Sequence, residues 1–307
     1  MLLRTGLVAL WAIALCAGFL ATKFIVEFAL RMGSDPVEIL YQQHYKLILS
    51  ASYIGPLFFV CLFFRRTEAV QLMLLPPADL AGETDRITYR VSLRRALEAA
   101  LRVSPGLLAL LCALPLGLIG VGQQLHAIAL VLFPVDRLLR ASLELMWPRH
   151  HWLDLLGAFV TPGIVAPIVE ELVFRGLMLG LAARYFFAVP GLRARLLLYG
   201  SVVFQSALYA LSHLNPWEAA PLFLFGIVLA ILRLRTGSIL LPIAIHALLN
   251  MLSVAQIYFW PEMPYFGGDA LTTALLPWYI FLPCLALVVL PLYGLTTHKP
   301  GLAEEAA

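Results

Sequence analysis

Charged residues are scarce in this sequence of 307 residues. Asp, Glu, Lys and Arg make up 13% of it, whereas about 25% is usual for soluble domains. Hydrophobic residues account for 62%, and the mean hydropathy is +0.90. Such a chain cannot cover a soluble surface, but it can face lipid on all sides. The net charge of only +3 also lacks the basic excess of nucleic-acid-binding proteins, so no nucleic-acid partner is expected.

Cysteine pairs and the common zinc signature are missing as well. The four cysteines lie in apolar stretches and form no C-x-x-C pair: Cys16, Cys61, Cys112 and Cys284. This pattern is typical of small hydrophobic side chains in helices and indicates neither a disulfide framework nor a cysteine-bound zinc. The H-E-x-x-H sequence of many zinc peptidases does not occur.

Long apolar runs make up most of the chain. A bilayer crossing takes about 20 apolar residues, and we identify such runs at residues 6–30, 47–64, 105–133, 152–182, 196–213, 219–232, 238–258 and 271–295. The sequence therefore predicts an all-α, polytopic membrane helical bundle with about eight transmembrane helices. The first run continues past Gly18, which favours an uncleaved helix over a cleaved signal peptide.

Lysine and arginine are concentrated in alternate loops, and Arg233 and Arg235 are counted among these loop charges. The positive-inside rule then places both termini in the cytoplasm. Residues 86–102 and 135–152 are predicted to lie along the membrane surface, the former with a basic face. The Ala-, Leu- and Arg-rich composition indicates a bacterial source, so the expected location is the inner (cell) membrane.

Ionisable side chains within the apolar runs are the candidates for chemistry, because one charge costs about 2.5–3.5 kcal/mol to insert at a bilayer centre. The fourth run contains Glu170, Glu171 and Arg175. Glu171 and Arg175 are four residues apart and can pair across one helical turn. Glu170 then remains on another face as a carboxylate that can act as a base. Pro167 removes a backbone hydrogen bond upstream and predicts a local kink.

Two histidines and an amide supply the groups that such a carboxylate needs. His213 ends the fifth run, and His246 and Asn250 project from one side of the seventh. A carboxylate and an imidazole can activate water, while a second imidazole and an amide can donate hydrogen bonds to an oxyanion. Peptide hydrolysis requires both functions.

The remaining polar residues in the runs are predicted to be structural. Lys23 and Glu27 are four residues apart and are expected to pair on one helix face. Gln123, Gln124 and His126 are expected to hydrogen-bond to neighbouring helices or to lie near the interface.

Three motifs in this order resemble those of the CPBP family of intramembrane proteases, which includes CAAX-processing enzymes and Abi proteins. Glu170-Glu171-x-x-x-Arg175 looks like its E-E-x-x-x-R motif. Tyr209-x-x-x-His213 is similar to a second motif that usually begins with Phe, and His246-x-x-x-Asn250 resembles the third. The resemblance covers residues 155–258.

The resemblance implies an eight-helix intramembrane endopeptidase. Glu170 would activate water with the help of His213, His246 and Asn250 would bind the oxyanion, and Glu171 and Arg175 would brace the site. Three regions follow: N-terminal transmembrane helices with a basic interfacial segment (1–150), a catalytic core (151–260), and a last transmembrane helix with a cytoplasmic tail (261–307). The expected partners are membrane lipids and a peptide or lipidated protein substrate.

The cofactor and the function class each have alternatives. Glu170, His213 and His246 could together hold zinc, which takes about three protein ligands. A metal-free glutamate mechanism is favoured because acid-base catalysis needs no metal and Asn250 is a poor zinc ligand. A proton- or ion-coupled transporter is one rival, but its polar residues would follow a path through several helices. A non-catalytic scaffold or bacteriocin-immunity protein with the same fold is the other.

Overall fold

The computed structural model describes residues 2–32, 53–63, 67–75, 89–135, 152–186, 191–260, 263 and 273–297. Within these residues every regular element is a helix, which confirms the predicted all-α fold. The helices are α1 (Leu2–Met32), α2 (Ile54–Phe63), α3 (Thr67–Leu74), α4 (Tyr89–Leu101), α5 (Pro105–Leu132), α6 (residues 152–186), α7 (Leu192–Leu211), α8 (Ala219–Thr236), α9 (Leu240–Phe259) and α10 (Trp278–Thr297).

Six helices are long and apolar enough to cross a membrane: α1, α5, α7, α8, α9 and α10. They coincide with six of the predicted runs, and they make the chain an integral membrane protein of the polytopic, helical class. The run at 47–64 corresponds to α2, which has 10 residues, and residues 47–52 lie outside the described part. The run at 152–182 forms α6, whose helical pattern is interrupted. The total of eight crossings stays a prediction.

The outer surface of the bundle is apolar. Large hydrophobic side chains are exposed along the candidate spans, including Leu116 on α5, Val203 on α7 and Leu290 on α10. In water such a surface would mark an interaction site or an aggregation liability. In a bilayer it is the ordinary lipid-facing surface.

Small residues allow α5 and α10 to pack closely. A Cβ atom at Gly117 would lie 2.7 Å from the carbonyl oxygen of Cys284, and one at Gly120 would overlap the sulfur of the same cysteine. Because lipid tails are as apolar as leucine, close backbone packing of this kind is a main source of helix association in membranes. Gln124 adds a polar contact, since its Oε1 accepts a hydrogen bond from the Leu276 N–H at 2.8 Å, as expected for the polar residues of this run.

The short helix α3 packs against the middle of α6, where Gly176 and Gly180 face it. A Cβ atom at Gly176 would lie 3.0 Å from the Cα of Met73, and one at Gly180 would overlap the carbonyl oxygen of Leu72. These glycines therefore fix how closely the two backbones approach each other. Because α6 contains both glutamates of the first motif, α3 supports the back of the candidate site.

Arg233 does not lie in a loop, contrary to the prediction from the charge pattern. Its side chain is fully buried at the end of α8 rather than displayed in a loop. Its guanidinium donates hydrogen bonds to the carbonyl oxygens of Leu75 and Met73 at the end of α3 and to that of Gly237. A cation suits this position because the carbonyls at helix ends carry partial negative charge. Arg233 therefore joins α3 to α8, and the predicted orientation of the termini rests on the other loop charges.

The predicted interfacial helix at 86–102 is present as α4. Arg94 and Arg95 are exposed, whereas Ala96 and Ala99 are buried, so the helix is amphipathic. Its location at a membrane surface stays a prediction. The second interfacial segment (135–152) lies almost entirely outside the described residues, as do the tail after residue 297 and the side chain of Glu27.

Substituting Gly180 tests the contact between α3 and α6. Gly180→Ala should lower the free energy of unfolding by about 1–3 kcal/mol, because the new methyl group has no space beside Leu72. Gly200→Ala is the matched control: nothing lies within 4 Å of its Cβ position, and alanine in an open helical site is stabilising by about 0.5–1 kcal/mol. Thermal unfolding in detergent would measure both, and equal midpoints for the two variants would contradict the predicted contact.

Candidate active site

The two glutamates lie on a short α-helical piece of α6 between two π-helical turns. Ala166–Glu171 is α-helical, Thr161–Val165 and Leu172–Met178 have π geometry, and regular helix flanks them at Trp152–Val160 and Leu179–Phe186. In the first π turn the Ala166 N–H donates to the Thr161 carbonyl, five residues earlier. π-Helical turns are rare overall, but those that do occur are often found at functional sites. The kink predicted from Pro167 therefore takes the form of π turns on both sides of the glutamates.

Asn250 satisfies a backbone group that this geometry leaves unpaired. In π register the carbonyl of Pro162 would pair with the N–H of residue 167, but Pro167 has no N–H. The side-chain amide of Asn250 donates to that carbonyl at 2.6 Å instead. Unpaired carbonyls are costly in an apolar interior, so this bond stabilises the irregular turn and attaches α9 to it.

Glu171, Arg175 and His246 form a buried polar cluster. The Arg175 Nη1 donates to Glu171 Oε1 at 2.8 Å, and both side chains are completely buried, so the predicted pairing is present. The Nδ1 of His246 lies 2.9 Å from the same oxygen. Because a carboxylate only accepts, the hydrogen belongs on Nδ1. Glu171 therefore fixes both the orientation of the imidazole and the nitrogen that carries its proton.

Glu170 is 3% exposed and has a different set of partners. Its Oε1 accepts a hydrogen bond from the Tyr53 hydroxyl at 2.7 Å. Its Oε2 lies 3.9 Å from the Nε2 of His246. The two adjacent carboxylates thus contact opposite nitrogens of His246, and their other partners differ. One oxygen of Glu170 is held by the protein, and the other faces the imidazole.

Tyr209 occupies the position at which the second motif usually has Phe, and its hydroxyl group lies next to His246. The ring is buried, and the guanidinium of Arg175 lies 4.4 Å from its centroid. The hydroxyl lies 3.5 Å from the Nε2 of His246. The ring thus provides a cation–π contact for a buried arginine whose Nε and Nη2 make no hydrogen bond among the described residues.

His213 lies just beyond the end of α7, at the edge of this cluster. It is partly exposed, its ring packs edge-on against Tyr209, and its Nδ1 donates to the Tyr209 carbonyl at 3.0 Å. It lies close enough to Glu170 for an electrostatic interaction. The three sequence motifs therefore converge: Glu170, His213 and His246 surround one region, and Asn250 holds the turn beside it.

A three-ligand metal site is not assembled in the described part of the chain. No three side chains among its His, Cys, Asp and Glu residues are arranged so that they could hold a metal ion. The set of Glu170, His213 and His246 that could bind zinc is thus not in coordinating geometry.

Comparison with known protein families supports the assignment of the three motifs. Residues 152–252 match the family of type II CAAX prenyl endopeptidase Rce1-like proteins. This segment is therefore similar to the CAAX-processing proteases of the CPBP family. The match contains all three motifs, so the resemblance inferred from them is confirmed.

A curated relative matches a similar length of the chain. An uncharacterized 24.3 kDa protein of Escherichia coli is 31% identical over 97 residues, which are 30% of this chain and 41% of that protein. The chain thus spans about two fifths of that relative's length. No solved structure gives a significant match.

Two residues of the site were not predicted from the sequence. Tyr53 carried no signal, because it precedes α2 in a region without motifs. Lys23 had a signal, a charge within an apolar run, but it was expected to pair with Glu27. Its Nζ lies 5.2 Å from the centroid of the Tyr53 ring, and it interacts electrostatically with Glu170. Both belong to the N-terminal part of the chain, outside the family match.

An apolar crevice of about 190 Å³ lies one helical turn from Tyr209. Residues of α1, α6 and α7 line it, among them Ala12, Met178, Gly200 and Phe204. Gln205 is its main polar group; this side chain is 2% exposed, and its Oε1 has no hydrogen-bond partner among the described residues. The crevice therefore accommodates an apolar group beside the polar cluster.

Removing Arg175 tests the buried ion pair. Arg175→Met leaves Glu171 as a buried charge with reduced compensation, which should lower the free energy of unfolding by about 3–5 kcal/mol. Adding Glu171→Gln should recover much of this loss, because glutamine is neutral and its oxygen can still accept from His246. Thermal unfolding of the single and double variants measures the effect. A double variant less stable than Arg175→Met would contradict this account.

Proposed function

We propose that this protein is an intramembrane endopeptidase that hydrolyses a peptide bond in a membrane-associated or lipidated substrate. One observation carries the proposal: the Glu170 carboxylate is buried, with one oxygen hydrogen-bonded to Tyr53 and the other facing His246. A carboxylate held in this way among apolar helices costs stability. That cost is consistent with a residue kept for chemistry. The similarity of residues 152–252 to type II CAAX prenyl endopeptidases supports this reaction class.

In the proposed reaction, Glu170 removes a proton from a water molecule that attacks the scissile carbonyl. The tetrahedral intermediate then collapses with cleavage of the C–N bond, and Glu170 returns the proton to the leaving amine. His213 assists at the partly exposed edge of the site, where its Nε2 can take up and release a proton. As an imidazolium, His246 would donate from Nε2 to the developing oxyanion while its Nδ1 donates to Glu171.

Asn250 is the second proposed oxyanion donor. Its amide nitrogen already donates one hydrogen bond to the Pro162 carbonyl. A side-chain amide nitrogen carries two hydrogens, so one remains for the oxyanion. Glu171 and Arg175 brace the site by holding His246 in place. The same bonds that order the irregular backbone of α6 therefore orient the proposed catalytic groups.

The crevice between α1, α6 and α7 supports a hydrophobic or lipid-modified substrate. Its lining is mostly apolar, and it lies one turn of α7 from Tyr209. We propose that it receives an apolar part of the substrate while the peptide lies across Glu170. The enzyme would work in a bacterial cell membrane with both termini in the cytoplasm.

The first test concerns Glu170. Glu170→Gln keeps the size of the side chain but removes the base, so cleavage of a quenched fluorescent peptide should fall by at least about 100-fold. The purified, detergent-solubilised protein would be assayed with peptides that do and do not carry a lipidated cysteine. A strong chelator should leave the wild-type rate unchanged.

Glu218→Gln is the matched control, because Glu218 is an exposed glutamate at the start of α8 and should keep wild-type activity. A Glu170→Gln variant that cleaves as fast as wild type would overturn the protease proposal and favour a non-catalytic scaffold. Loss of wild-type activity in the chelator would replace the glutamate mechanism with a metal-dependent one.

The second test concerns the crevice. Gly200→Phe should fill it and raise KM for a lipidated peptide by about tenfold, the equivalent of two buried methylene groups at about 0.8 kcal/mol each. KM for the unlipidated peptide should stay unchanged. Gly106→Phe is the control, since Gly106 also has nothing within 4 Å of its Cβ position but lies at the start of α5. Equal KM changes for both peptides would contradict the assignment.

A further inference from the structure

Tyr53 contacts the proposed base from outside the family-matched segment. Its side chain is 8% exposed, and its hydroxyl donates to Glu170 Oε1 across 117 positions of sequence. Hydrogen bonds to an ionised acceptor are shorter and stronger than neutral ones, and a length of 2.7 Å fits such a bond. The contact is thus a strong, buried, long-range bond to the group that the proposed reaction depends on.

The geometry of glutamate explains why this bond matters. The last torsion of a glutamate side chain is broad and roughly two-fold, so an unconstrained carboxylate rotates easily. With Oε1 held by Tyr53, Oε2 is directed at His246, at 3.9 Å from Nε2. That gap is too long for a direct hydrogen bond. Tyr53 therefore holds Oε1 in place, in the orientation that directs Oε2 at the imidazole.

Lys23 adds a positive charge behind the tyrosine. Its Nζ lies 5.2 Å from the Tyr53 ring centroid, within cation–π range, and it interacts electrostatically with Glu170. A lysine inside an apolar helix is costly, and such residues usually have a functional partner. The carboxylate of Glu170 and the face of Tyr53 are partners of this kind.

Packing holds α1 in the required position. Phe19 of α1 is 2% exposed and meets Phe174 of α6 edge-to-face, with ring centroids 5.8 Å apart. Phe174 in turn packs edge-to-face against Tyr209 at 5.2 Å. Because Phe19 and Lys23 are four residues apart, they lie on the same side of α1. The aromatic contacts therefore place Lys23 beside the polar cluster.

We propose that Tyr53 and Lys23 are positioning residues for Glu170, so that the N-terminal helices complete a site whose motifs all lie in residues 152–252. The inference rests on the proposed role of Glu170 as the base. Tyr53 orients the carboxylate, and Lys23 stabilises the charged form of the tyrosine–glutamate pair. Neither side chain takes part in bond making.

The test compares variants of the full-length protein in detergent with the same fluorescent peptide. Tyr53→Phe removes only the hydroxyl, so kcat should fall by about 10- to 100-fold, as for the loss of a hydrogen bond to a charged group. KM should stay at its wild-type value, because no substrate contact changes, and the thermal unfolding midpoint should fall only by the loss of one hydrogen bond. Lys23→Met should lower kcat by about 3- to 10-fold, and Lys23→Arg, which keeps the positive charge, should restore it.

Tyr199→Phe is the matched control, because this tyrosine of α7 is half exposed and has no part in the proposed site. It should keep the wild-type kcat. A wild-type kcat in Tyr53→Phe, while Glu170→Gln is inactive, would overturn the positioning role and leave the proposed function standing. A raised KM, or a fall in the unfolding midpoint as large as that of Arg175→Met, would assign Tyr53 a structural role instead.

A second measurement needs no substrate. A hydrophobic carbodiimide labels carboxyl groups within membranes, and mass spectrometry of the digested protein locates the label. Labelling of Glu170 should be several-fold faster in Tyr53→Phe, because its oxygen is no longer held by the hydroxyl, and unchanged in Tyr199→Phe. Equal labelling rates in wild type and Tyr53→Phe would overturn the inference even if no peptide tested is cleaved.

Discussion

The ion pair of Glu171 with Arg175 is completely buried in an apolar bundle, and the other polar contacts of the site are arranged around it. Either charge alone would destabilise the fold, because the desolvation penalty in the interior exceeds the Coulombic stabilisation that a weak partner provides. The negative charge of Glu171 is stabilised by Arg175 and His246. The positive charge of Arg175 is stabilised by Glu171 and by the face of the Tyr209 ring. The cluster thereby fixes His246, so a stabilising network also sets the geometry of the proposed catalytic histidine.

Backbone irregularity is the second constraint. A continuous α-helix through residues 152–186 would have no place for Pro162 and Pro167 without losing hydrogen bonds. The π turns on either side of Ala166–Glu171 accommodate this sequence, and the Asn250 amide satisfies the Pro162 carbonyl. Glycines at 176 and 180 then allow α3 to approach the second irregular turn. The site is therefore held from two sides, by α9 and by α3.

The N-terminal helices have a larger part in the site than their sequence indicates. Tyr53 binds Glu170, Lys23 lies behind Tyr53, and Phe19 packs on the helix that contains the glutamates. At the other end of α3, the buried Arg233 joins its terminal carbonyls to α8. Residues before 152 thus act as a part of the same structural unit as the motif-bearing helices, although they share no recognised pattern with the family.

The sequence by itself determined the membrane class and the helical fold, because these follow from hydropathy, and the resemblance of its three motifs to one family predicted that they form one site. The pairing of Glu171 with Arg175 follows from their spacing within a single helix. Only the tertiary structure decided that Tyr53 and Lys23 reach Glu170, that Arg233 is buried, and that Asn250 caps a broken turn. Each of these depends on contacts between residues distant in sequence, and a hydropathy pattern carries no information about which helix faces which. The same reason explains why α6, a continuous apolar run in the sequence, is divided by π turns in the fold.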